Sequence, residues 1–320
     1  MRIHVLALNR VLDTGLATAL DAFDIANTVA EMTGVSTVRF QTTVVGVRKT
    51  VATAQGLNIP VTSASAAQTP DAVVLPAINH LAPEPLLQAL ASSEVGEAVG
   101  VLRHWSARGA LTASACVGAF VLAEAALLDD REATTTWWLA PLFRQRYPRV
   151  RLDEARLIVE SDTVVTAGAA LSHLDLALTL IRRASPELAS VTARYLVADA
   201  RTSQAAYAIP SRLVHTDPLV HRFEHWARGR LAEGFSLDQA AAALATSKRT
   251  LARRTQGVLG KSPLEYVQDL RIERAVHLLE TSQASVDQIA AEVGYAEGVT
   301  LRALLRRKLG RGVREIRRKP

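Results

Sequence analysis

At roughly 100–200 residues per domain, a 320-residue chain suggests two domains. With 49% hydrophobic and 21% charged residues, it is not a disordered chain. A single cysteine excludes an internal disulfide framework and an all-cysteine zinc site, and fits a reducing compartment. The longest apolar run, residues 117–128, is too short to span a bilayer and is interrupted by Glu124. No signal peptide is visible after Met1-Arg2, so a cytoplasmic protein with no membrane partner is expected.

Taken in chain order, residues 3–8 read as a strand and 16–33 as a helix with apolar positions at Leu16, Leu20 and Phe23. Residues 38–47 and 71–75 read as strands, the second bounded by Pro70 and Pro76. A helix over 94–108 ends at Gly109, with His104 and Trp105 as packing residues. A strand over 110–115 and a helix over 117–128 follow. Residues 156–160 and 163–166 read as a hairpin around Ser161-Asp162, and 171–183 as a helix opened by His173 and Asp175. Strands alternating with helices of this length predict a parallel α/β sheet covered on both faces.

Ser114-Ala115-Cys116-Val117-Gly118 is the chemically loaded point. A strand runs into a sharp turn and a helix starts at once, as in a nucleophile elbow. A thiol at a helix N-terminus is also expected to feel the helix dipole, which favours the thiolate. A buried, inert cysteine fits the same pattern.

Residues 111–125 around Cys116, Thr134-Thr135-Thr136-Trp137, and 164–168 followed by 175–178 resemble the PfpI-like branch of the class I glutamine amidotransferase-like superfamily. The likeness is in particular to sensory domains joined to AraC-type regulators, and it covers roughly residues 1–185. It implies a flavodoxin-like sandwich with Cys116 at the elbow, and commonly a dimer. Catalytic members pair the elbow cysteine with a histidine, and the matching position here is Thr136, which is no base near neutral pH. They also place a glutamate near the first strand, where only Asp13 stands. No catalytic residue is therefore expected, and the cleft is read as a small-molecule pocket with Asp13, Cys116, Val117, Thr136 and His173 as candidates. The alternative is a cysteine-dependent hydrolase using Cys116 and anchored on DNA. No cofactor or metal is expected; His221 and His225 lie four apart without a recognisable third ligand.

Residues 186–218 read as a linker rich in polar residues and proline. Beyond it the net charge of +6 finds its source. Residues 215–320 hold 19 Lys+Arg against 12 Asp+Glu, whereas 1–214 hold 18 against 19. A basic module joined to a neutral one points to an anionic partner, nucleic acid first. The basic region also repeats: residues 250–260 align with 300–310, and 237–241 with 286–290. Each copy reads as helix, short turn, helix, the unit whose second helix lies in the major groove.

The first recognition helix, about 247–258, carries Lys248, Arg249, Thr250, Arg253 and Arg254. The second, about 297–309, carries Glu297, Thr300, Arg302, Arg306, Arg307 and Lys308. Most of these are expected to meet phosphates. Lys248, Arg249 and Arg253, and Glu297, Thr300 and Arg302 are the candidates for base edges. Two such units joined by a helix over 263–280 resemble the AraC/XylS DNA-binding domain. Gly260 to Tyr266, Arg271 to Ala275 and Ile289 to Tyr295 carry the likeness, which covers 219–320. Departures are Thr255 and Leu305 where aromatics are usual, and a C-terminal motif lacking the expected proline and tyrosine.

The expected fold is an α/β domain over 1–185 and an all-α domain with two helix-turn-helix units over 219–320. The expected function is sequence-specific transcriptional regulation on double-stranded promoter DNA. A homodimer, a small-molecule effector and contact with RNA polymerase are the expected accompaniments.

Overall fold

The first strand, β1 (Arg2–Leu6), buries all but its first residue because it is covered on both faces. It pairs in parallel with β2 (Gln41–Gly46), and a short antiparallel pair follows, β3 (Thr50–Ala52) with β4 (Asn58–Pro60). The remaining strands are β5 (Thr62–Ser63), β6 (Ala72–Leu75), β7 (Leu111–Ala115), β8 (Glu132–Ala133), β9 (Arg151–Leu152), β10 (Ile158–Ser161) and β11 (Val164–Ala167). The computed structural model describes residues 1–199, 201, 203–210, 213, 215 and 217–317. Its main sheet has seven strands in the order β10-β11-β7-β6-β1-β2-β5. All neighbours are parallel except the β10–β11 hairpin at one edge.

The intervening helices are α1 (Asp13–Thr33), α2 (Pro83–Leu90), α3 (Ser93–Ser106), α4 (Gly118–Glu124), α5 (Ala140–Arg146), α6 (Ser172–Ala184) and α7 (Pro186–Tyr195). Contacts divide the chain into two units, Met1–Trp137 with Tyr147–Gln204, and Trp138–Arg146 with Ala205–Pro320. In the first unit, α1, α6 and α7 pack on one another, as do α2, α3 and α4. Ala113 and Ala115 of β7 join the core beneath α1 and α6, so the alternate residues Thr112 and Ser114 face the other way. The expected parallel α/β sandwich is the observed fold.

Three local expectations change. The helix after Cys116 ends at Glu124, short of Leu128, because Ala126 takes a left-handed φ of 55°. There Leu127 N–H reaches Leu122 O and Ala126 N–H reaches Ala123 O, a Schellman closure usually built on glycine. Helix α2 is additional to the expected elements and carries Pro83 and Pro85 in its first turn. Proline is accepted in a first turn, whose N–H groups have no helical partner. Trp105 is buried as expected, whereas His104 is exposed and meets Arg108.

The second unit continues with α8 (Pro218–Arg228), α9 (Leu237–Ala243), α10 (Lys248–Leu259), α11 (Pro263–Thr281), α12 (Val286–Glu292), α13 (Gly298–Leu309) and α14 (Val313–Arg317). Serines cap four of these helices: Ser236, Ser247, Ser262 and Ser285 each accept from the backbone N–H three residues on. Ser262 and Ser285 complete capping boxes with Glu265 and Gln288. The repeated glycines Gly260 and Gly310 end α10 and α13 in left-handed geometry, φ 68° and 67°. Two cores result: Phe223, Ala240, Leu251, Leu259 and Tyr266 build one, and Ile272, Ile289, Val293, Leu301 and Leu305 the other. Helix α11 feeds both.

Among the described residues no helix is long and apolar enough to cross a membrane.

Candidate functional site

The carboxyl ends of parallel strands are where open α/β sheets place their ligands. Here β7 delivers Cys116 at that end, with φ 56°, a strained left-handed value for a side chain other than glycine. Gly118 makes the turn feasible, since a Cβ there would stand 2.9 Å from Leu75 O. Cys116 N–H donates to Ala167 O (2.9 Å), and Thr135 Oγ1 donates to Cys116 O (2.8 Å). The elbow is thus held by β11 on one side and by the Thr134–Thr136 segment on the other.

Cys116, Val117 and Thr136 are all buried. Burial pushes the Cys116 thiol up to about 11, outweighing the Val117 N–H and the Thr136 hydroxyl, which favour the thiolate. The expected dipole activation is therefore overturned: desolvation in a closed elbow dominates over a helix of seven residues.

The other two pocket candidates lie on neighbouring elements. His173, on the first turn of α6, is buried with both ring nitrogens engaged. Nδ1 donates to Ala170 O (2.5 Å), and Nε2 accepts from Ala77 N–H (3.1 Å). Burial lowers its pKa, so it is a neutral bracket between α6 and the segment after β6. Its ring also lies against Gly15 of α1, where a Cβ would meet Nε2 at 2.7 Å. Asp13, two residues earlier, accepts from Gln55 N–H through Oδ2 (3.1 Å).

Two residues near this end of the sheet escaped the sequence reading. Glu94 of α3 accepts from the backbone and the side chain of Asn9, both at 3.1 Å, so a carboxylate does sit beside the end of β1. Gln204, from the segment before the second unit, is buried against Thr134 and Thr135. Neither sits at a recognisable sequence spacing from Cys116.

In the second unit the predicted helix-turn-helix geometry is present twice, α9–α10 and α12–α13. The turns pass through Ala245 (φ 51°) and Gly294 (φ 83°). Lys248, Arg249, Arg253 and Arg254 are exposed along α10, and Thr250 is half-buried, its hydroxyl bonded to Ser247 Oγ (2.9 Å). Glu297, Thr300, Arg302, Arg306 and Arg307 are exposed at and along α13. Not all of these cations face outward alone. Arg254 pairs with Asp217 and Lys248 with Asp238 (2.8 Å), and Lys308 turns inward to Asp269. Asp269 also receives Lys261 (2.7 Å), and Arg271 donates to Leu231 O (3.1 Å) and Glu233 O, so α11 ties the two helix-turn-helix motifs together. Thr255, replacing an aromatic, is buried with its hydroxyl on Leu251 O (2.8 Å). His221 and His225 are exposed on α8, and no metal-capable cluster occurs among the described residues.

Residues 1–183 match the DJ-1/PfpI family. The chain belongs to that family. Residues 240–319 match a helix-turn-helix domain. Among similar proteins, the HTH-type transcriptional regulator ArgR of Pseudomonas aeruginosa is 27% identical over 232 residues, covering 71% of this chain and 70% of that one. The regulator GbdR of Pseudomonas aeruginosa is 26% identical over 203 residues, covering 62% of this chain and 55% of that one. In fold, the chain is similar to an AraC family transcriptional regulator from Pseudomonas putida, with TM-score 0.51 and 21% identity. That likeness covers 61% of this chain and 98% of the other.

The DJ-1/PfpI unit here is thus joined to an AraC-type DNA-binding domain, an arrangement of transcriptional regulators rather than of enzymes. Thr136 stands beside a protonated thiol and offers no base near neutral pH.

Proposed function

We propose that this chain is a ligand-responsive transcriptional regulator. Its DJ-1/PfpI domain dimerises and binds a small metabolite at the elbow, and its AraC-type domain binds double-stranded promoter DNA. The observation that carries this reading is the pair of serine-capped helix-turn-helix units with exposed cations along both second helices. Lys248, Arg249 and Arg253 reach base edges from the first helix, and Glu297, Thr300 and Arg302 from the second. Thr250, Arg254, Arg306 and Arg307 meet the phosphate backbone. In the sensory domain Cys116, Val117 and Thr136 line the effector pocket, with Asp13 and His173 at its edge. An effector acts by binding one arrangement of the protein more tightly than another. The dimer aligns two readers on DNA, and RNA polymerase is a further contact of the bound regulator.

The test is duplex binding by the full chain across a salt series. The reading requires log affinity to fall linearly with log salt, and tighter binding to selected promoter fragments than to random duplex. Binding that is absent, or insensitive to salt, overturns it. Sedimentation of the purified chain tests the dimer, and a thermal-shift screen against a metabolite panel tests the pocket.

A further inference from the structure

Gln204 is 2% exposed, unusual for a long polar side chain in a segment between two units. Its Nε2 donates to Thr135 O (2.8 Å), Thr134 Oγ1 (3.3 Å) and Arg156 O (3.5 Å). Its Oε1 is buried and has no hydrogen-bond partner. Gly168 opens the space it fills: a Cβ there would stand 2.5 Å from Oε1. The niche lies one hydrogen bond from the elbow, because the Thr135 hydroxyl donates to Cys116 O.

The neighbours of Gln204 are strapped to the same unit. Gln204 N–H and Ser203 Oγ both donate to Ala155 O, at 3.0 and 2.7 Å. Arg201 donates to Leu171 O (3.0 Å) and pairs with Asp175. Ala205, the next residue in the chain, begins the longer stretch of the second unit.

A buried carbonyl without a partner gives up its hydration with nothing in return, so Gln204 fits its niche imperfectly. A ligand that satisfies the same acceptors without leaving an orphan has an advantage over it. Among the described residues, every hydrogen-bond partner of the Gln204 carboxamide is a neutral group. An uncharged ligand therefore suits the niche, whereas a cation would be buried there with no counter-charge.

We propose that Gln204 is a tethered plug of this niche. An uncharged small molecule with paired N–H donors takes its place, and that exchange releases the strap leading into the second unit. The proposal rests on the metabolite-sensing reading above and assigns its physical trigger.

Hydrogen exchange of the full chain, read by mass spectrometry, follows the strap directly. Gln204→Ala removes the plug, and Gly168→Ala expels it while keeping the glutamine. Both are expected to speed exchange at the amide of residue 204 by about tenfold, with β7 as protected as in the parent. Acetamide, which replaces the atoms lost, is expected to raise the melting temperature of Gln204→Ala and to slow that exchange again, and acetate to do neither. Strap exchange equal to the parent in both variants overturns the plug. An equal response to acetamide and acetate overturns the assigned niche chemistry. A parent chain that binds a metabolite with no change at the strap also overturns the latch and leaves sensing intact. If no metabolite shifts the parent while both variants behave as stated, the plug stands and the sensing reading falls.

Discussion

Arg254 on α10 donates from Nε to Oδ2 of Asp217 over 2.7 Å, while Oδ1 of the same carboxylate caps α8 by accepting from Leu219 and Val220 N–H. One buried aspartate therefore starts a helix and anchors a cation on the predicted DNA-reading helix. Asp217→Ala is expected to lower stability by about 1–2 kcal/mol through the lost cap. Asp217→Asn is expected to recover most of that loss, because asparagine caps equally well. Thermal melts of the two variants check the ordering.

Asp269 joins Lys261 before α11 and Lys308 on α13, with its carboxylate 9% exposed. Removing it leaves two partly covered ammonium groups without their acceptor. Both lysines are a quarter to a third exposed, so solvent screens part of the cost. Asp269→Ala is expected to cost about 2 kcal/mol in denaturant unfolding. A change under about 0.5 kcal/mol would refute a joining role.

The Cys116 thiol sits near 11 when folded, against an ordinary value of 9.0. The folded state thus holds the proton more tightly. The stability this confers is complete below pH 9 and is lost as pH rises from 9 to 11, reaching up to about 3 kcal/mol. The stability difference between the parent and Cys116→Ser is expected to shift against the parent across that window. Alkylation by iodoacetamide at neutral pH is expected to be slow, and rapid labelling of the folded chain would contradict it.

On DNA, Arg253→Ala is expected to weaken binding to a selected promoter fragment by about 1–3 kcal/mol, with little loss on random duplex. Equal loss on both, with the salt slope reduced by about one, would mark Arg253 as a phosphate contact instead.

Much of the second unit is legible without coordinates. The 50-residue offset between Gly260 and Gly310 records two helices that end alike, and serines at 247, 262 and 285 mark helix starts. Those are local rules: a cap or a left-handed turn depends on a few adjacent residues. The same locality exposed Cys116 between a strand and a glycine. It misled where another residue performed the local task, as Ala126 does in ending α4.

Pairings distant in sequence were not legible. Glu94 reaches Asn9 across 85 positions, and Gln204 reaches Thr135 across 69. Nothing in the composition around either partner anticipates the other, because the sheet order brings them together. The protonation of Cys116 belongs to the same class, since desolvation depends on everything packed around the thiol.

Residue type and short spacing were enough to reveal the charge asymmetry, the paired helix-turn-helix motifs, the elbow and the missing histidine at Thr136. Tertiary structure alone decided which cations face outward, how far the thiol is silenced and what occupies the niche beside Thr135. Each of those depends on burial and on partners that chain folding brings within hydrogen-bond reach.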